Sequence, residues 1–183
     1  VYIYKSFTGR TVKLRYLFNG AFNAPAEAGK QKPKVVMDQV GNGVGVISRY
    51  MFNNCAYLTS VEIKDFGTRA ESSYLAKMER MFYSCPALVS AKLTNFGTAS
   101  NAQMYQMFVN CGTAEDSRID KDGVANWEFT NVGNNNSNMR ALFTRSLTSS
   151  YIPRDSSFIW KSTGSRGSTV SIGELFSYGT YTL

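Results

Sequence analysis

The chain has 183 residues, 43% of them hydrophobic and 14% aromatic, with a formal net charge of +7 and no histidine. That balance suits one folded domain over residues 1–183 and excludes disorder over most of it, and no apolar run reaches the length of a bilayer-spanning helix. The missing histidine removes the commonest general base and the commonest metal ligand together, while the basic excess favours acidic partners only through a weak field effect.

The first residues, Val1-Tyr2-Ile3-Tyr4-Lys5, lack an initiator Met and a signal-peptide pattern, and read as a processed or cut start. Ile3, Phe7 and Gly9 read as the strand and turn of a unit whose helix is absent, and the first full unit follows at Leu14, Leu17-Phe18 and Ala21. The loop Lys30-Gln31-Lys32-Pro33-Lys34 is basic, with Arg10, Lys13 and Arg15 nearby. It is a candidate contact for an acidic partner, against the plainer reading of solvated surface charge. A strand is expected at Val35-Val36-Met37, then a second unit at Ser48, Met51-Phe52 and Cys55, followed by the strand pattern Leu58-x-x-Val61-x-Ile63 and the turn Phe66-Gly67-Thr68. The third unit repeats this with Met78, Met81-Phe82, Cys85, Leu88, Ala91, Leu93 and Phe96-Gly97-Thr98, and a fourth opens at Met104, Met107-Phe108 and Cys111. Weaker strand echoes stand at Trp127-Glu128-Phe129 and Phe158-Ile159-Trp160. The remaining units are marked by Met139, Leu142-Phe143 and Ser146, and by Ile172, Leu175-Phe176 and Gly179. Tyr181-Thr182-Leu183 reads as another strand beginning, so the chain is expected to begin and end within a repeat.

Counted from Phe to Phe, the six units step by 34, 30, 26, 35 and 33 residues, a drifting period of the kind repeat architectures show when their loops vary. The residues four before each Phe (apolar in five of six units) and one before it, with the Phe itself, have i, i+3, i+4 spacing, which predicts one face of a short helical turn. The residue three after it is always small, which predicts a tight passage into the next layer and a column in which Cys55, Cys85 and Cys111 stack. The alternating stretches predict strands with one face on the core, and the glycine after Phe66 and Phe96 predicts a turn with positive φ. Because one such unit cannot bury its apolar face alone, the units are expected to stack into a short solenoid.

Little here points to catalysis. The three cysteines match no zinc spacing and have no histidine to join them, so they read as buried small apolar side chains, although distance alone leaves a disulfide between neighbouring layers open. Asp120-Lys121-Asp122-Gly123 has part of a calcium loop, but Arg118 and Phe129 occupy two positions that need carboxylates, and a polar turn is the better reading. No serine or threonine has a base to pair with, so no enzyme activity and no cofactor is expected. Nucleic-acid binding is disfavoured because most aromatics are committed to core columns. The polar stretches 131–138, 148–151 and 161–168 read as insertions, and Tyr151, Arg154, Trp160 and Arg166 are the candidate exposed contacts beside Lys30, Lys32 and Lys34.

Over residues 50–111 the pattern Met51-Phe52-x-x-Cys55-x-x-Leu58-x-x-Val61-x-Ile63-x-x-Phe66-x-Thr68, with its second copy from Met78 to Thr98, closely resembles the BspA-type leucine-rich repeats of bacterial surface proteins. Outside that third of the chain only the core of each unit survives, with Ala21, Ser146 and Gly179 in place of cysteine. The resemblance implies an α/β leucine-rich-repeat solenoid of about six units, with a parallel sheet on one side and short helices on the other. It also implies a non-enzymatic adhesion or binding role, extracellular or at the cell surface, towards a protein or glycan ligand. In phage-borne copies it implies a place in the virion, as a fibre, tail or capsid-decoration piece. The shared motif consists of scaffold positions and assigns no binding residue.

Overall fold

Alternation of apolar and polar residues builds the strands. In Ser60–Phe66 the residues Val61, Ile63 and Phe66 are buried while Glu62 and Lys64 face outward, and Ser90–Phe96 and Asn126–Val132 repeat the pattern. The structure, a computed structural model, describes residues 2–4, 11–25, 32–40, 45–68, 76–99, 101–120, 125–133, 137–152, 157–161 and 170–171. Its strands are β1 (Tyr2–Tyr4), β2 (Thr11–Lys13), β3 (Lys34–Asp38), β4 (Gly45–Ile47), β5 (Ser60–Phe66), β6 (Ser90–Phe96), β7 (Asn126–Val132), β8 (Ser137–Asn138), β9 (Ser157–Lys161) and β10 (Val170–Ser171).

Six of them form one parallel sheet in the order β1-β3-β5-β6-β7-β9. Its register places Met37, Ile63, Leu93, Phe129 and Trp160 side by side in one row. A second parallel row runs Lys13, Ile47, Lys77, Gln103, Asn138 and Ser171, partly in the short pairs β2-β4 and β8-β10 and partly through isolated bridges. Each of these six residues stands five before a marker Phe, so the row holds the units in the register expected from the sequence, including the unit whose Phe176 lies outside the described residues.

The expected helices are absent among the described residues. Two residues before the marker Phe the backbone is left-handed, at Tyr16 (φ 57°), Tyr50 (55°), Arg80 (53°), Gln106 (55°) and Ala141 (53°). Two residues after it the same holds for Gly20 (67°), Asn54 (58°), Ser84 (58°), Asn110 (56°) and Arg145 (53°). A right-handed helix cannot carry a left-handed residue every fourth position. The chain instead makes overlapping tight turns: Leu17 N–H donates to the Leu14 carbonyl (3.3 Å), Asn19 to Tyr16 (3.1 Å) and Ala21 to Phe18 (3.0 Å). Where the third residue of such a turn has positive φ, it has the signature of type II.

The reason lies in the backbone groups. A helix would consume every N–H internally, whereas here alternate N–H groups point to the next unit. Leu14 donates to the carbonyl of Ile47 (2.7 Å), Tyr16 to Arg49 (3.2 Å), Phe18 to Met51 (2.8 Å) and Gly20 to Asn53 (2.8 Å). Equivalent bonds join the Phe52, Phe82, Phe108 and Phe143 units in succession. Each left-handed non-glycine residue costs about 1–2 kcal/mol, and these bonds between units, together with the packing they permit, offset it.

The core lies between the sheet and the turns. The rings of Phe18, Phe52, Phe82, Phe108 and Phe143 stack in one column with centroids 5.1–5.3 Å apart and planes within 10°. Phe108 also meets Phe129 of β7 at 6.0 Å and Trp127 edge-on at 5.0 Å, which ties the turn column to the sheet. Between Cys111 and β7 the chain makes a detour that buries Ala114, Ile119 and Ala125 with Val89 in a small second core. That detour accounts for the long step from Phe108 to Phe143. No helix among the described residues is long and apolar enough to cross a membrane.

Candidate binding surface on the turn face

The turn backbone sorts its side chains by position. Among the described units the residue four before the marker Phe, the Phe itself and the residue three after it are buried or half-buried, as is the residue one before it except for the exposed Leu17. The positions between them are more exposed, apart from the buried Glu79, Val109 and Ala141. Ser48, the polar member of the first of these columns, is buried with its hydroxyl 3.6 Å from the sulfur of Met81. The column of small residues does more than make room. The thiols of Cys55, Cys85 and Cys111 donate to the carbonyls of Phe18 (3.3 Å), Phe52 (3.0 Å) and Phe82 (3.0 Å), each in the preceding unit. The Ser146 hydroxyl does the same to Phe108. The sequence reading found the size requirement here and missed the donor.

All three thiols are free and buried. Hydrogen bonding with the neighbouring thiol of Cys85, then burial, pushes the Cys55 thiol far up, and burial first and Cys111 second push that of Cys85 well up. The thiols of Cys55 and Cys85 therefore stay protonated, and a protonated buried thiol is no nucleophile. Among the described residues no three Cys, Asp or Glu side chains gather as a metal site would require.

The expected contact residues divide into three groups. Lys30, Arg154 and Arg166 lie outside the described residues, as does most of the turn after Asp120. Lys32 donates from Nζ to the carbonyls of Ser117 (3.0 Å) and Arg118 (3.3 Å), and Lys34 pairs with Glu62 at 3.0 Å, so both are engaged within the chain. Tyr151 is half-buried against the second core. Trp160 is half-buried with its ring edge-on to Phe129 at 5.0 Å, which makes it part of the packing at β9.

What the sequence did not reveal is where the charge goes. The outer face of the sheet is balanced: Lys34, Lys64, Lys92 and Lys161 stand among Asp38, Glu62, Asp65 and Glu128. Lys92 and Lys161 both approach Glu128, at 3.8 and 3.6 Å. Among the described residues the turn face carries Lys13, Arg15, Arg49, Lys77, Arg80, Arg140 and Arg145 against one carboxylate, Glu79. Glu79 is only 3% exposed and is gripped through both oxygens by Arg49, whose guanidinium is held above its usual pKa by that hydrogen bond. Most of the net charge of the described residues therefore sits on one side of the core, where it raises the local potential for anions.

Tyrosines stand among these cations. Tyr16 and Tyr50 stack at 5.2 Å with planes 6° apart. Arg80 lies over the rings of Tyr50 (5.8 Å) and Tyr83 (5.7 Å), with Nε–H bonded to Gln106 Oε1 and Nη1–H to the Tyr50 hydroxyl, both at 2.7 Å. Beyond Arg80 opens a cavity of about 450 Å³ lined by Arg80, Tyr105, Gln106, Asn138, Arg140 and Ala141. Its floor is neutral and polar, and two arginines flank it. No family model, curated protein or solved structure matches the chain.

Proposed function

We propose that the chain is a non-enzymatic binding or adhesion module acting outside the cell, built as a leucine-rich-repeat-type solenoid of about six units. On this reading the sheet forms one side and a ladder of tight turns takes the place of short helices on the other. The observation that carries it is the division between inward and outward columns. The inward columns keep apolar or small residues from unit to unit, while the column three before the Phe changes from Arg15 to Arg49, Glu79, Tyr105 and Arg140 at one register position, with Glu79 buried beneath Arg49. A scaffold that holds its core constant and varies its outer columns is how stacked units make recognition surfaces. The basic excess on that variable face favours an acidic protein or glycan as partner.

The test is fractionation of the native source with an antibody to the chain. Recovery with cell envelopes, and loss of the signal when intact cells are treated with protease, is the expected result. Recovery with virus particles would move the protein to a virion component, and recovery in the cytosol alone would overturn an extracellular role.

A further inference from the structure

We propose that the cavity between Arg80 and Arg140 is a subsite for one acidic sugar of a linear polysaccharide. Its carboxylate or sulfate lies between the guanidinium groups, and its hydroxyls meet Tyr105, Gln106 and Asn138. This rests on the binding-module reading and gives that module a ligand class.

The cavity's volume of about 450 Å³ falls in the range of small-ligand sites. Its chemistry is that of a polyol carrying a charge. The unit marked by Phe108 turns Gln103, Tyr105 and Gln106 outward and no charge, while the units on either side supply Arg80 and Arg140. Amides and a phenol provide paired donors and acceptors for hydroxyls, and arginine provides a planar fork matched to an oxyanion. Arg80 is fixed before any ligand arrives. Gln106 and Tyr50 take two of its five N–H donors, the rings of Tyr50 and Tyr83 hold its plane, and the remaining donors need little further ordering.

Other anionic partners fit less well. A base of single-stranded nucleic acid needs open aromatic faces to stack on, and here Tyr50 already has Tyr16 and Arg80 against it and Tyr83 has Arg80, which leaves Tyr105 alone against the several stacked rings such a ligand uses. An acidic peptide would anchor through large side chains in an apolar pocket, and among the described residues lining this cavity only Ala141 is aliphatic. A chain ligand is favoured over a free sugar because Lys13, Arg15 and Lys77 continue the positive face on one side and Arg145 lies on the other, in units about 5 Å apart by their stacked rings.

Binding of the full chain to heparin, hyaluronan, neutral dextran, polyglutamate and oligo-dT, measured by calorimetry over a salt series, tests this. Heparin and hyaluronan are expected to bind and dextran not to. Arg140→Gln, at an exposed position, should weaken binding about tenfold, as loss of a charge-assisted hydrogen bond entails. Gln106→Ala should weaken it while leaving the salt slope unchanged, because it removes a neutral contact. The sheet-face double variant Lys64→Gln/Lys161→Gln should stay within about twofold of the parent, since those charges lie across the core. Equal binding of dextran, tighter binding of polyglutamate or oligo-dT, an unchanged affinity in Arg140→Gln, or no binding to either acidic polysaccharide overturns the subsite. Parent protein and Arg140→Gln adhering equally to native envelopes would remove the subsite and leave the adhesion reading standing, whereas failure of the parent to adhere would remove that reading.

Discussion

Ser146→Ala is expected to destabilise the protein by about 2–3 kcal/mol, although it deletes a single oxygen. The Ser146 side chain is fully buried. Its hydroxyl donates to the Phe108 carbonyl and accepts from the Cys111 N–H at 3.2 Å, so alanine strands a buried amide and weakens the bonding of a buried carbonyl. An unsatisfied buried group costs about 1–3 kcal/mol, and the residual void is too small to add much. Ser146→Cys should cost less than about 1 kcal/mol, because Cys85 and Cys111 make the same bond at 3.0 Å in the neighbouring units. Ser146→Val cannot donate and adds volume beside the Phe108 carbonyl, so it should cost at least as much as alanine. Urea unfolding followed by Trp127 fluorescence reads the effect where it occurs, since that indole lies 5.0 Å from Phe108 and 5.1 Å from Phe143. A midpoint for Ser146→Ala within error of the parent, or Ser146→Cys as unstable as Ser146→Ala, would show that the column selects size alone and that the donor role is mistaken.

Three further outcomes follow from the same geometry. Because burial holds the Cys85 thiol well above its usual pKa, the unfolded chain loses that proton first as pH rises. Stability is then unaffected below about pH 8 and falls above it by about 1.4 kcal/mol per pH unit from this thiol, and Cys85→Ser should remove that part of the slope in urea midpoints taken under reducing conditions. Phe108→Ala should cost about 3–5 kcal/mol and Phe18→Ala clearly less, measured by the same unfolding assay, because Phe108 touches rings on both sides and from β7 while Phe18 is half-buried with one stacked partner. Ala141→Gly should raise the thermal midpoint, with a gain of about 1 kcal/mol, since φ is 53° there; Asn110→Val, at φ 56°, should lower it by a similar amount or more.

The strands and the inward columns were legible because burial imposes them residue by residue: Val61, Ile63 and Phe66 cannot alternate as they do without one covered face. The helical reading failed on an ambiguity of spacing. Overlapping tight turns and an α-helix both bring residues at i, i+3 and i+4 to one side, so Leu14, Leu17 and Phe18 do not distinguish them. A signal did exist in Gly20, Asn54 and Asn110, residue types that accept left-handed backbone, although as single residues they also suit a helix end. The matching positions two before each Phe hold Tyr16, Tyr50, Arg80, Gln106 and Ala141, which have no such preference, and their conformation is imposed by bonds to the next unit. The surroundings of two expected contact residues were also not legible. Trp160 ends the short apolar run Phe158-Ile159-Trp160 and Tyr151 follows a polar stretch, and only register sets Trp160 beside Phe129 and folding sets Tyr151 against the second core.

The uneven charge of the two faces follows from the difference between their backbones. On the sheet, neighbouring strands hold side chains at fixed separations, and like charges placed opposite one another repel. The register there sets Glu62 beside Lys92 and Lys92 beside Glu128, and the sign alternates as that constraint requires. Such exposed pairs contribute little stability, about 0–1 kcal/mol each, so the balance serves mainly to keep the register unfrustrated. The turn face obeys the same spacing but resolves it differently. Arg15 is the register neighbour of Arg49, yet Arg49 is drawn onto the buried Glu79, and Arg80 is drawn onto Gln106 and between two tyrosine rings. Neutral partners and aromatic faces thus hold the Arg80 guanidinium in place without cancelling its charge, whereas Arg49 is paired with Glu79. Carboxylates in the same outward positions would have separated the arginines equally well for folding and would have left the face electrically balanced. The tyrosines and amides instead leave a positive potential on an ordered surface, the property on which the proposed binding role depends.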